Sequence, residues 1–197
     1  MKPLIVGIGG STRKRSTGEL ALHHALQAAE REGARTMLFP GPFLARMPLY
    51  SPERIDRNAE QHELVEAVRL ADGLILASPG YHGGISGLVK NSLDLLEDLR
   101  NDRRPYLDGR SVGCIITASG WQTVGSALNS LRSIVHALRG WPTPLGAGLN
   151  IAEKIFDPAG VCLDSTAAKQ LATVGRQVVE FAQRWMDRDA APPGQQS

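Results

Sequence analysis

The chain has 197 residues, a formal net charge of +2, 42% hydrophobic residues and 21% charged residues. That length suits a single domain able to bury a sizeable core, and the charge is too small for a dedicated nucleic-acid surface. Its two cysteines, Cys114 and Cys162, lie far apart in sequence and outside any CxxC or zinc-spaced set, so both read as reduced structural thiols.

The first predicted strand, about 3–8, contains the apolar run Leu4-Ile5-Val6-Gly7-Ile8. It leads into Gly9-Gly10-Ser11-Thr12-Arg13-Lys14-Arg15-Ser16-Thr17, ahead of Gly18 and a helix at about 17–32 whose face is Leu22, Leu26 and Ala29. A first βα turn with hydroxyls, glycine and positive charge has what a phosphate needs: N–H and O–H donors and a helix N-terminus. Arg13 is placed to add a charge-assisted fork. An ordinary N-cap needs only one of Ser16 and Thr17, so four hydroxyls beside a basic cluster favour phosphate. No Gly-Lys-Ser/Thr follows at the spacing of a Walker A loop. The dinucleotide fingerprint is poor as well: Gly7-Ile8-Gly9 is present, but Thr12 stands where Gly or Ala is needed. A hydroxyl-rich loop suits a terminal monophosphate ester, such as the one FMN carries.

A second strand, about 34–39, runs into Pro40-Gly41-Pro42 with no acidic residue clearly at its end. An irregular stretch at about 40–57 carries Pro40, Pro42, Pro48 and Pro52. A helix at about 58–71 turns Leu64, Val65, Val68 and Ala71 inward, and a third strand at about 73–78 contains Leu74-Ile75-Leu76-Ala77. Ser78 to Asp94, SPGYHGGISGLVKNSLD, is the most informative stretch. Pro79-Gly80-Tyr81-His82-Gly83-Gly84 is expected neither to continue the strand nor to start a helix. Helical periodicity resumes at about 87–99 with Leu88, Ser92, Leu95 and Leu96. In an open parallel sheet, ligands sit outside the carboxyl ends of the strands. A loop rich in backbone N–H groups and carrying Tyr81 suits the edge and face of a flat heteroaromatic ligand. It also suits a plain βα connection with a packed Tyr, and the phosphate-type loop tips the balance towards a ligand.

A fourth strand is expected at about 110–117, with Cys114 buried inside Val112-Gly113-Cys114-Ile115-Ile116. A helix at about 123–139, a strand at about 144–149 and a helix at about 165–187 complete the alternation. The tail from Asp189, with Pro192-Pro193-Gly194-Gln195-Gln196, is expected to be disordered, leaving residues 1–188 as one domain. Short βα alternation implies a five-stranded parallel sheet in order 2-1-3-4-5 with helices on both faces. No apolar leader and no membrane-length run is seen, so a cytoplasmic location is the default expectation.

The chain resembles the NADPH-dependent FMN reductase family of flavodoxin-like proteins. The matching residues are Gly10-Ser11-Thr12-Arg13 with Ser16-Thr17; Met47-Pro48-Leu49-Tyr50; Ser78-Pro79 with Tyr81-His82-Gly83; and Gly87 with Lys90-Asn91-Leu93-Asp94. The resemblance covers about Leu4 to Leu149 and implies a flavodoxin-like three-layer α/β sandwich. It implies that Ser11, Arg13, Ser16, Thr17 and Gly18 hold the FMN phosphate. It implies that Pro79, Gly80, Tyr81, His82 and Gly83 meet the isoalloxazine and that Ser119, Gly120 and Trp121 close over it. The chain departs from the family pattern at Gly18, where Asn or Thr is common; at Arg15, where a smaller residue is usual; and at Gly80, where a bulkier, often acidic residue is common. Trp121 has two readings, stacking at or gating the ring, or packing on a neighbour.

The resemblance further implies NADPH or NADH as hydride donor to flavin N5, with no side chain acting as acid or base; His82 shapes the pocket. His23, His24, His62 and His136 show no metal spacing. Lys90, Asn91 and Asp94 are expected to brace the Tyr81 loop. Free FMN reduction, feeding a flavin-dependent monooxygenase or a small acceptor, is the first reading. An enzyme with tightly bound FMN that reduces quinones, azo or nitro compounds or metal oxyanions is the alternative. A hydrolase is disfavoured because no GxSxG elbow is present, and an electron carrier because the chain is slightly basic. Val124, Leu128, Leu131, Val135 and Leu138 form a seam on the fourth predicted helix, and Leu93, Leu96 and Leu99 add apolar surface on the third. Relatives pair these helices across a dimer, so the resemblance implies a homodimer, possibly a tetramer. The partner's Pro48-Leu49-Tyr50 loop would then touch the flavin; otherwise that loop is an Ω-like surface excursion.

Overall fold

Along three strands, alternate side chains face opposite sides of one sheet. In β1 (Leu4–Gly9), Ile5 faces one side and Val6 and Ile8 the other. In β3 (Gly73–Tyr81), Ile75 and Ala77 oppose Leu74 and Leu76. In β5 (Ser111–Ala118), Ile115 opposes Val112, Cys114 and Ile116. Strands that are apolar on both faces need a helical layer on each side. One layer is α1 (Thr17–Arg31) with α6 (Ser165–Ala190). The other is α3 (Ala59–Leu70), α4 (Gly87–Asp94) with its 3-10 continuation Leu95–Leu99, and α5 (Trp121–Ala137).

This computed structural model describes residues 1–190. β2 (Arg35–Pro40), β1, β3 and β5 lie side by side and parallel, in the expected doubly wound, flavodoxin-like order. The expected fifth strand is divided into β6 (Trp141–Pro142) and β7 (Ala147–Asn150), both on the outer edge of β5. Thr143 N–H still donates to Val112 O of β5 at 3.0 Å, and the ladder breaks beyond it, where Pro144 carries no N–H. Side chains satisfy the gap: Arg132 donates to Thr143 O at 2.9 Å, and Gln177 Oε1 accepts Leu145 N–H at 3.0 Å. A seventh strand, β4 (Gly84–Ile85), pairs antiparallel with β3.

Several expectations are corrected. Pro79 and Gly80 do not end the third strand; β3 runs through them to Tyr81. Pro79 is tolerated because it stands at the last register position against β5, opposite Thr117. His82 (φ 51°) and Gly83 (φ 85°) then make a two-residue turn with both residues left-handed, which matches strand twist. α2 (Gly41–Leu44) lies inside the stretch expected to be irregular. α5 starts at Trp121, so that residue opens a helix instead of sitting in a loop. Leu93, Leu96 and Leu99, expected to offer spare apolar surface, are buried within the chain, as are Val124, Leu131 and Val135. The seam therefore packs on the chain's own sheet and no longer argues for a second subunit. α6 reaches Ala190, two residues into the expected tail; the rest of that tail lies outside the described residues. Among the described residues, no helix is long and apolar enough to cross a membrane.

Candidate cofactor site

The carboxyl ends of β1, β3 and β5 open onto one cleft of about 270 Å³. β1 enters it through Gly9 and Gly10. A Cβ on Gly9 (φ 146°) would lie 1.9 Å from Ala77 O, and Gly10 N–H donates to the same carbonyl at 3.0 Å. Only a residue without a side chain passes this close to β3 in that conformation. On the other side, a Cβ on Gly41 would lie 1.9 Å from Ser11 O. The loop between β1 and α1 is thus held between two neighbouring backbones.

Ser11, Arg13, Ser16, Thr17 and Gly18 all line one end of the cleft, as the sequence led us to expect. Ser16 is the N-cap of α1, and its hydroxyl oxygen accepts Glu19 N–H at 3.2 Å. Ser11 Oγ likewise accepts Arg13 N–H at 3.3 Å. Each hydroxyl spends its oxygen on a backbone amide and keeps its single proton for an outside acceptor. The N–H groups of Thr17 and Gly18, in the first turn of α1, meet no acceptor among the described residues. The Arg13 guanidinium has no carboxylate partner there either. A Cβ on Gly18 would stand 3.6 Å from Thr117 Oγ1 and 3.7 Å from Gly10 Cα, filling the cleft floor. Two hydroxyl protons, two amides and a guanidinium converge here at the positive end of a helix dipole, which is the donor set of an anion site.

Pro79, Gly80 and Tyr81 form the second wall. The base of their hairpin is fastened by two buried serines. Ser78 Oγ accepts Ser86 N–H at 2.9 Å, and Ser86 Oγ caps α4 by accepting Val89 N–H at 3.3 Å. Gly80 packs under α5: a Cβ there would lie 3.1 Å from Thr123 Cγ2 and 3.2 Å from Ala127 Cβ. Tyr81 is 55% exposed at the rim. His82 and Gly83 form the hairpin turn and do not line the cleft.

On the third side only Ser119 of the expected trio lines the cleft. Gly120 is the N-cap of α5, and Trp121 borders a different, smaller cavity with Asn150 and Gln170. Thr117 and Ala118, which open the segment read from the sequence as the third flavin loop, also line the cleft, and Ile151 is a lining residue that sequence reasoning missed. Thr117 and Ala118 close β5, so their place at a strand's carboxyl end was the available signal. Ile151, just past β7, gave none. Lys90 and Asp94 pair with each other at 2.6 Å, and Asn91 braces the Pro48–Tyr50 segment instead of the Tyr81 hairpin.

The cleft fits FMN: the donor set at one end matches a phosphate monoester, and the strand with Pro79, Gly80 and Tyr81 offers a wall for a flat ring. The sequence matches the NADPH-dependent FMN reductase family over residues 3–153. It is 28% identical over 172 residues to the NADPH-dependent FMN reductase ArsH of Shigella flexneri, a match covering 87% of this chain and 66% of that protein. This chain therefore spans just under two thirds of that relative's length. It is 33% identical over 151 residues to the FMN-dependent NADPH-azoreductase of Staphylococcus aureus strain USA300, covering 73% of this chain and 74% of that one. The flavoenzyme FerB of Paracoccus denitrificans, an NAD(P)H:(acceptor) oxidoreductase, shares the fold with a TM-score of 0.72 at 20% identity, over 92% of this chain and 98% of FerB. With the family match running through the phosphate-type loop, the Tyr81 hairpin and the end of β5, the chain belongs to the NADPH-dependent FMN reductase family, whose members use FMN and a nicotinamide hydride donor.

Proposed function

We propose that the protein moves a hydride from NADPH or NADH to FMN in this cleft and releases reduced FMN to a flavin-dependent monooxygenase or a small acceptor. The observation that carries the reading is the convergence of two hydroxyl protons, two open amides and an unpaired guanidinium at one end of the cleft. Ser11, Ser16 and the Thr17 and Gly18 amides bind the phosphate, and Arg13 neutralises it. Pro79, Gly80 and Tyr81 set the ring against a rigid strand, with Thr117, Ser119 and Ile151 opposite. His82 and Gly83 shape the turn, and Gly120 and Trp121 set where α5 begins. Bound FMN supplies the redox chemistry, and the protein supplies position and electrostatics. No cleft side chain needs to act as acid or base.

One observation favours a second reading. Tyr81 (55% exposed) and Ile151 (43%) leave the ring end open to a flat acceptor. An enzyme that keeps its FMN and reduces quinones, azo or nitro compounds or metal oxyanions uses that opening. Two copies pairing through α4 and α5 would meet along the exposed Gly125, Ser126, Asn129 and Ser133 of α5; sedimentation velocity tests this. The free thiols of Cys114 and Cys162 fit a reducing cytoplasm.

Anaerobic turnover with NADPH and excess free FMN separates the readings. Accumulation of many equivalents of reduced FMN supports free-flavin reduction. Turnover only when a quinone or azo dye is supplied, with flavin retained on diafiltration, supports the second reading.

A further inference from the structure

We propose that Arg15 is a positioning residue for the phosphate loop and acts by tying that loop to the distant hairpin at residues 156–162. The proposal rests on reading the cleft as an FMN phosphate site.

Arg15 directly precedes the N-cap Ser16, and its backbone is left-handed at φ 52°. A side chain in that region is disfavoured without an outside hold, and no glycine supplies the conformation here. The hold is visible: Arg15 Nη2 donates to Pro158 O at 2.9 Å, across 143 residues of sequence. The acceptor sits on a well-made turn. Gly160 N–H donates to Asp157 O at 3.0 Å, Val161 N–H donates to Asp157 Oδ1 at 2.8 Å, and Phe156 and Cys162 form an antiparallel bridge. The turn is moored to α1 at a second point, where His24 Nε2 meets Gly160 O at 2.9 Å and the His24 ring lies 5.2 Å from Phe156.

Arg15 does not line the cleft; it borders a separate hollow on the outer side of α1. Its effect on a ligand must therefore pass through the loop. With the tether in place, the chain enters α1 at one fixed angle, and the Ser11, Arg13 and Ser16 groups converge with the Thr17 and Gly18 amides. Without it the left-handed turn relaxes and Ser11 and Arg13 drift from the helix end.

The test compares FMN with riboflavin, which lacks the phosphate, by fluorescence titration of wild type and variants whose melting curves are checked. Arg15→Ala and Arg15→Gly should each lose about tenfold of the preference for FMN, the scale of one hydrogen bond to a charged group, with riboflavin affinity unchanged. Arg15→Lys should restore part of it. Glycine takes the left-handed backbone freely but has no tether, so full preference in Arg15→Gly overturns the proposal. Asp157→Ala breaks the turn while removing a negative charge; charge alone predicts tighter FMN, and the tether predicts weaker FMN. Tighter binding in that variant also overturns the proposal. A wild type with no preference for FMN over riboflavin overturns the phosphate reading itself, and the tether with it.

Discussion

The side-chain oxygen of Asn91 accepts the backbone N–H of Tyr50 at 2.7 Å. The same carboxamide donates to Pro48 O at 3.1 Å, and buried Gln61 reaches that carbonyl at 3.4 Å. Farther along, Arg57 forks onto Asp98 at 2.9 Å through two nitrogens and lies over the Tyr50 ring. The Pro-rich excursion is therefore strapped at several points, yet Leu49, between two pinned residues, is 82% exposed. Replacing Asn91 with Ala should lower unfolding free energy by about 1–3 kcal/mol, the range for stranding a polar partner, and speed proteolysis near Arg54. An unchanged urea midpoint and digestion pattern would contradict the strap.

Arg13→Ala should weaken FMN by about 1–3 kcal/mol, as expected for a lost charged hydrogen bond, and leave riboflavin affinity alone. Titration of both flavins checks this. Equal losses for the two would move Arg13 from the phosphate to the ring.

How far the sequence led depended on whether the physics was local. The βα alternation, the two-faced strands and the phosphate loop follow from residues adjacent in the chain, and the structure brings Ser11, Arg13, Ser16 and Thr17 together with Pro79 to Tyr81. The fate of the Pro79-Gly80 step was not local. Proline reads as a stop, but a strand whose neighbour is ending tolerates one, and that neighbour, β5, lies more than thirty residues on. Trp121 was misplaced by two residues of helix boundary. Leu96 and Leu99 read as surplus because the helix tightens into a 3-10 turn at Leu95–Leu99, invisible in the pattern, with both in the core; Leu93 is already buried within α4. Ile151 and the Arg15–Pro158 bond depend on long-range contacts that no window reveals.

Gly80 has a steric role. A Cβ there would press on Thr123, Ala127 and Ala118 at 3.1 to 3.3 Å. Gly80→Ala should cost about 1–3 kcal/mol of stability through overpacking and weaken flavin binding as the hairpin shifts. Adding Ala127→Gly should recover part of both. A Gly80→Ala protein with wild-type melting and flavin affinity would show that the hairpin yields freely.

Burial pushes the Cys114 thiol up to about 12 from an ordinary value of 9.0. The unfolded chain therefore loses this proton first. The stability the group contributes is fully present below pH 9 and is lost as pH rises towards 12. At mildly alkaline pH the native protein should titrate with a disulfide reagent at Cys162 alone, and the denatured protein at both thiols. Rapid native labelling of Cys114 would mean the strand opens readily.

The most direct test of the account is NADPH consumption, followed at the nicotinamide absorbance band, by protein purified without flavin and then supplied with FMN. The account predicts consumption that requires FMN, saturates with it, and falls when Arg13 is replaced by Ala. A protein that neither binds FMN nor consumes NADPH or NADH in its presence would contradict the assignment of the cleft.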